Sequence, residues 1–132
     1  MAIHSDQIKS TGKWGEDQAE KYLRKKGYRT VERNFSCRFG EIDLIVSDQA
    51  YLVFVEVKTR KMNAMVSPVE AVDLRKQQKL VLTAQVYMQQ HPCSKQPRFD
   101  VFEVLTGTDG KPTHQRHLPN AFDASCIDGL YY

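Results

Sequence analysis

Three charged residues stand on segments that are otherwise apolar, and they are the part of this chain best suited to chemistry. Asp43 lies within Gly40-Glu41-Ile42-Asp43-Leu44-Ile45-Val46, and Glu56 and Lys58 lie within Leu52-Val53-Phe54-Val55-Glu56-Val57-Lys58. Both segments are rich in β-branched residues and read as strands. Asp48-Gln49-Ala50 between them reads as a turn, which makes the pair an antiparallel hairpin. Side chains alternate across a strand, so Glu56 and Lys58 share a face. A two-residue turn at Gln49-Ala50 sets Asp43 opposite Glu56, with Cβ atoms about 4.5–5.5 Å apart. Facing carboxylates repel, and a shared proton or a divalent cation relieves the repulsion. Mg²⁺ takes oxygen ligands and keeps several waters, so two carboxylates plus a substrate phosphate suit it. A nearby lysine can orient the attacking water and offset charge on the phosphoryl oxygens. These are the parts that metal-assisted phosphodiester hydrolysis needs. The same register sets Glu41 opposite Lys58, so a plain cross-strand ion pair, with Glu56 at an exposed sheet end, also fits the spacing.

The elements that hold these residues emerge from the apolar pattern. A helix is expected from about Thr11 to Lys26, with Ala19, Tyr22 and Leu23 at helical spacing and Gly27 as its stop. Tyr28–Asn34 reads as a short strand and precedes the hairpin strands Phe39–Ser47 and Tyr51–Thr59. Tyr51–Thr59 is apolar on both faces, as a central strand covered on both sides would be. Arg60–Val66 reads as a loop. Ser67-Pro68-Val69-Glu70 is a capping box with proline at the first helical position, which starts a helix over 68–90. Arg98–Leu105 reads as a strand and His114–Leu118 as a short last one. The order α-β-β-β-α-β(-β) implies an α/β fold: a mixed central sheet flanked by helices, with the second helix setting its following strand parallel to a central one.

Composition narrows the class. A chain of 132 residues is expected to form one domain, 1–132, with its core over about 12–122 and a tail at either end. The longest apolar run, Tyr51–Val55, is far short of the ~20 residues that cross a bilayer, so no membrane partner is expected. No basic stretch followed by an apolar one opens the chain, so no secretory leader is expected. The three cysteines are odd in number and form no C-x-x-C, which argues against a disulfide framework or a thiolate zinc site and for a reducing cytoplasm. Net charge is +3, too small alone to argue for a polyanion partner. The basic residues are clustered, however. Arg60 and Lys61 follow the second hairpin strand, and Arg75, Lys76 and Lys79 lie on the second helix. Both groups are placed to contact phosphates flanking the site.

The residues Gly15-Glu16-Asp17-x-Ala19, Gly27-Tyr28, Arg33-Asn34, Gly40-Glu41-Ile42-Asp43-Leu44-Ile45 and Val53-Phe54-Val55-Glu56-Val57-Lys58-Thr59-Arg60 together resemble the bacterial YraN family. Arg75-Lys76, Arg98-Phe99-Asp100-Val101 and Asn120-Ala121-Phe122 extend the likeness, which spans roughly residues 12–122. Met62–Ser67 departs from it, lacking the glycine expected after the basic loop. That family is in turn similar to the restriction-endonuclease-like nucleases of PD-(D/E)xK signature, archaeal Holliday-junction resolvases in particular. The resemblance implies that Asp43 is the first signature acid and that Glu56-x-Lys58 is the (D/E)xK element. It further implies that Glu16 is an additional acid near the metal. Ile42 stands where the signature has proline. The activity implied by the resemblance is that of a Mg²⁺- or Mn²⁺-dependent endonuclease acting on nucleic acid, DNA in the first place and branched or structured DNA included. Catalytic residues would be Asp43, Glu56, Lys58 and Glu16, with the three acids on the metal. A homodimer is implied by the resolvase analogy. Nuclease-like folds also host binding proteins, so a catalytically silent nucleic-acid-binding or assembly protein is the alternative.

Overall fold

The hairpin sits at the centre of the fold. The computed structural model describes residues 2–61, 72–107, 109 and 111–128, with the backbone alone for residues 2–11, 112 and 113. Helix α1 (Ala2–Lys25) precedes strands β1 (Arg29–Cys37), β2 (Gly40–Ser47) and β3 (Tyr51–Lys61). Helix α2 (Leu74–Gln90), strand β4 (Gln96–Thr106), strand β5 (Pro112–Phe122) and a short 3-10 turn (Ala124–Ile127) complete the chain order. The five strands make one mixed sheet in the order β1-β2-β3-β4-β5. The first three form an antiparallel meander; β4 runs parallel to β3, and β5 returns antiparallel to β4. This is the order and the mixed pairing expected from the sequence.

Local chemistry explains the boundaries. The carboxylate of Asp48 accepts the Ala50 and Tyr51 N–H groups, and the Asp48 N–H donates to the Tyr51 carbonyl. This Asx turn fixes the two-residue register even though Gln-Ala is not a favoured hairpin pair. Helix α1 stops at Gly27, whose φ of +101° suits glycine. The Tyr28 N–H then donates to the Leu23 carbonyl and the Gly27 N–H to the Arg24 carbonyl, a Schellman closure.

Four expectations shift. Helix α1 begins at Ala2 rather than near Thr11, because no proline interrupts Ala2–Ser10. Strand β3 runs through Arg60 and Lys61, expected to lie in a loop, because Leu105 and Thr106 of β4 give them parallel partners. The capping box at Ser67–Glu70 and the rest of the expected loop from Met62 lie outside the described residues. Helix α2 begins at Leu74, and its N-cap is Asp73, which accepts the Lys76 N–H. The last strand is longer than expected, reaching Phe122.

The sheet is covered on both sides. Ala19 and Leu23 of α1 pack on Leu44, Val46, Val53, Val55, Phe102 and Val104. Leu80, Val81, Ala84 and Tyr87 of α2 pack on the other face, against Ile45, Leu52, Phe54, Phe99 and Val101. Each such large side chain contributes roughly 1.5–3 kcal/mol when buried. Gly15 allows the close approach of α1 to β3: a Cβ there would lie 2.5 Å from the Thr59 hydroxyl. That contact sets the depth of Glu16, the next residue along the helix.

Candidate active site

The site forms where the β2–β3 ladder stops. Paired positions run from Ser47↔Leu52 to Leu44↔Val55, the register that the sequence predicts, and its continuation would set Asp43 against Glu56. The ladder does not continue to them. Instead the Val57 N–H donates to Asp43 Oδ2 at 2.9 Å, so the Asp43 side chain takes the place of a strand carbonyl. Ile42 and Ile45 both reach the α2-side core, which breaks strict alternation around Asp43. The aspartate therefore stands at the mouth of a splayed strand end.

Glu56 continues the row of Leu52 and Phe54 and is 5% exposed. Its Oε1 is 3.4 Å from Lys58 Nζ and 3.7 Å from Lys76 Nζ, an ammonium from the first turn of α2. Its Oε2 is buried with no hydrogen-bond partner. Lys58 thus pairs with Glu56. Glu41, the alternative partner on spacing grounds, is exposed and lies across from Ser36 of β1. Burial, and after it the charge of Glu56, push the Asp43 carboxyl up to about 7. The Val57 N–H pulls it down, Glu16 pushes it further up, and Lys76 offsets part of the effect.

Glu16 is within electrostatic reach of Asp43 but is engaged elsewhere. Arg33 of β1 sits over α1 and binds three of its acids: Glu16 at 3.2 Å, Asp17 at 2.6 Å and Glu20 at 3.4 Å. Among the described residues, no three His, Cys, Asp or Glu side chains form a metal-ligand group. The donor set that a hard cation would find is therefore Asp43 with Glu56. It fits such an ion on two counts: the buried Glu56 Oε2 lacks a partner, and Asp43 is driven towards protonation when no cation is near. Two carboxylates are a sufficient protein contribution for Mg²⁺, which completes its shell with waters and phosphate oxygens.

The remaining basic residues divide. Lys61, Arg75 and Lys79 are exposed. Arg60 Nη2 lies 2.7 Å from Glu103 Oε2, and Arg116 Nη1 lies 3.8 Å from Glu103 Oε1. Glu103 is fully buried and is the β4 partner of Lys58. Because the two arginines occupy Glu103, Lys58 is left to Glu56. On the α1 side, buried Asp100 binds the Arg98 guanidinium twice (2.9 and 2.8 Å), His117 Nε2 (2.6 Å) and the Asn120 N–H (2.9 Å). Arg98 Nη2 also donates to the Tyr28 hydroxyl at 2.7 Å. This network ties β4 and β5 to the end of α1. The sequence analysis assigns no site role to Asp100, Glu103 or His117. The signal for both acids was present: a carboxylate inside an apolar strand, the same signal that singled out Asp43 and Glu56. Trp14 packs against the α1-side core.

The fold and site define a mixed α/β domain with two opposed carboxylates and two ammonium groups at one end of its central strands. Residues 15–104 match the family described as uncharacterised protein family UPF0102, and the chain belongs to that family. It is 48% identical to a UPF0102 protein of Caldanaerobacter subterraneus subsp. tengcongensis over 117 residues, covering 86% of this chain and 95% of the relative. A UPF0102 protein of Persephonella marina is 42% identical over 113 residues, covering 85% and 92%. One from Clostridium botulinum is 41% identical over 116 residues, covering 86% and 94%. Among the described residues, no helix is long and apolar enough to cross a membrane.

Proposed function

We propose that this protein is a Mg²⁺- or Mn²⁺-dependent endonuclease that hydrolyses phosphodiester bonds in DNA, branched or structured DNA included, on a restriction-endonuclease-like fold. The observation that carries the reading is the Glu56 carboxylate: buried, with one oxygen facing two ammonium groups and the other lacking a partner, and with its charge felt at Asp43. A buried carboxylate oxygen without a hydrogen-bond partner costs stability, and a bound cation would offset that cost. Asp43 and Glu56 would hold the cation, with Glu16 assisting on release from Arg33. A bound Mg²⁺ would polarise a phosphoryl oxygen and acidify a water. Lys58, partly open to solvent beside Glu56, orients that water and offsets charge growing on the phosphoryl oxygens. Lys61, Arg75 and Lys79 contact flanking phosphates.

A second reading, a nucleic-acid-binding or assembly protein without turnover, is favoured by one observation: Arg33 holds the third acid. One experiment separates the two. Linear, flapped and four-way DNA and matched RNA are incubated with the protein in Mg²⁺ or Mn²⁺, alongside Asp43→Ala and Lys58→Ala. The nuclease reading expects metal-dependent cleavage that both variants lose. Equal cleavage by the variants refutes the site. Salt-sensitive binding with no product refutes turnover and leaves the binding protein.

A further inference from the structure

Lys76 is the residue in the site whose position neither the strand pattern nor the expected phosphate-contact role accounts for. It enters from α2, on a different element from Lys58, and yet both ammonium groups close on the same oxygen, Glu56 Oε1. One lysine would neutralise Glu56; the second is surplus to that task. Its own backbone N–H is capped by Asp73, so its placement is fixed by the helix start. Its side chain is 43% exposed, open to a bound strand.

Resting on the hydrolytic reading above, we propose that Lys76 acts on the leaving side of the reaction: its ammonium donates a hydrogen bond to the bridging oxygen that departs from phosphorus. A phosphate seated over Asp43 and Glu56 has an ammonium from β3 and another from α2 beside the same carboxylate. In-line displacement needs the attacking and departing oxygens on opposite sides of phosphorus. Lys58 serves the water and Lys76 the departing oxygen. Water forms the new P–O bond and gives its proton to solvent. The old P–O bond breaks with its electron pair on the leaving oxygen, where charge develops against the Lys76 ammonium. Solvent then protonates that oxygen, and the products are a phosphomonoester and an alcohol. Lys76 keeps its proton throughout, so the contribution is electrostatic stabilisation of developing charge.

The test uses oligonucleotides with sulfur in place of one bridging oxygen at the mapped cleavage position, in 3′-bridged and 5′-bridged forms, with Mn²⁺ as the metal. Sulfur departs as a stable anion and has little need of a donor. Lys76→Gln is expected to cut the ordinary linkage about 10²- to 10³-fold more slowly than wild type, the loss typical of one such donor. On the form carrying sulfur at the leaving atom the deficit is expected to shrink to about tenfold or less. Lys58→Gln is expected to stay impaired on both, and Lys76→Arg, which keeps a charged donor, to recover part of the ordinary rate. Calorimetry gives a readout apart from turnover: Lys76→Gln is expected to bind Mn²⁺ at least as tightly as wild type, since a competing cation leaves Glu56. Wild-type rates in Lys76→Gln, a deficit that persists with sulfur, rescue of Lys58→Gln instead, or weakened Mn²⁺ binding each overturn the assignment. A wild-type protein that cuts none of these substrates refutes the hydrolytic reading itself, a different outcome from those four.

Discussion

Asp43→Asn should make this protein more stable, by an amount that grows as pH rises from about 4 to about 7 and is constant above that. Burial and the neighbouring Glu56 raise the Asp43 carboxyl from 3.8 to about 7. The folded protein therefore holds a proton that the unfolded chain has lost between about pH 4 and pH 7. Unfolding free energy falls as pH rises through that window. A shift of one unit corresponds to about 1.4 kcal/mol, which puts the full cost of ionised Asp43 at about 4 kcal/mol. Asp43 keeps some solvent contact and shares its repulsion with Glu56, so about 2–4 kcal/mol is the expected gain at pH 8.5. Asparagine retains an oxygen for the Val57 N–H and presents an amide donor towards Glu56. For a domain of this size the gain corresponds to a rise in melting temperature of about 6–15 °C. The assay is urea unfolding of wild type and Asp43→Asn at pH 4, 6 and 8.5 in the presence of a chelator. The two curves should converge at pH 4 and separate as pH rises. Adding Mg²⁺ at pH 8.5 should stabilise wild type and leave the variant unchanged. A variant equally or less stable at pH 8.5, or a difference independent of pH, refutes the reasoning that places these carboxylates in mutual repulsion.

Three further outcomes are expected. Asp100→Asn removes the charge that Arg98 and His117 share in the interior and should cost about 3–5 kcal/mol at pH 7, read by denaturant unfolding. Burial pushes the Asp100 carboxyl up, but hydrogen bonds from His117, Arg98 and the Asn120 N–H outweigh it and hold the group below its ordinary value. Its stabilising effect is thus complete above about pH 4 and is lost as pH falls through the folded value, so the deficit should narrow in acid. Gly15→Ala drives a methyl into the Thr59 hydroxyl and should cost about 1–3 kcal/mol, outweighing the gain in helix propensity; adding Thr59→Ala should restore most of the loss, as thermal melts of the double variant would register. Arg33→Gln frees Glu16 from its cation and should tighten Mn²⁺ binding in calorimetry, with no such effect when Glu16→Gln is already present.

Much of the site was legible because it is local. The hairpin register depends on one Asx turn and on side-chain alternation, and both are written in consecutive residues from Asp43 to Lys58. Parallel pairing of β3 with β4 was legible from the helix between them. The contacts that escaped are made by elements far apart in the chain. Lys76 reaches Glu56 because α2 crosses the sheet at a particular depth and turn phase, which no residue near Lys76 encodes. Arg33 reaches Glu16, Asp17 and Glu20 because α1 lies across β1, and acids at those spacings read equally well as a solvated helix face. His117 looked idle because its partner Asp100 is known only once β5 is laid against β4. The early start of α1 is illegible for another reason: serine and threonine, as at Ser10 and Thr11, are common capping residues, yet a cap acts only where the chain before it leaves the helix.

Glu56 and Asp43 belong to a segment of contiguous chain, whereas Lys76 belongs to a helix further along. During folding the meander can assemble through short loop closures, well before the longer closure that brings β4 alongside β3. The β2–β3 ladder runs from the Asp48 turn through Ser47↔Leu52 to Leu44↔Val55 and stops short of the two carboxylates. Seating of α2 then supplies the second ammonium and caps the open end. The mouth of the site is thus closed by α2 and not by strand pairing, and amide exchange there should report on α2 docking more than on the hairpin itself.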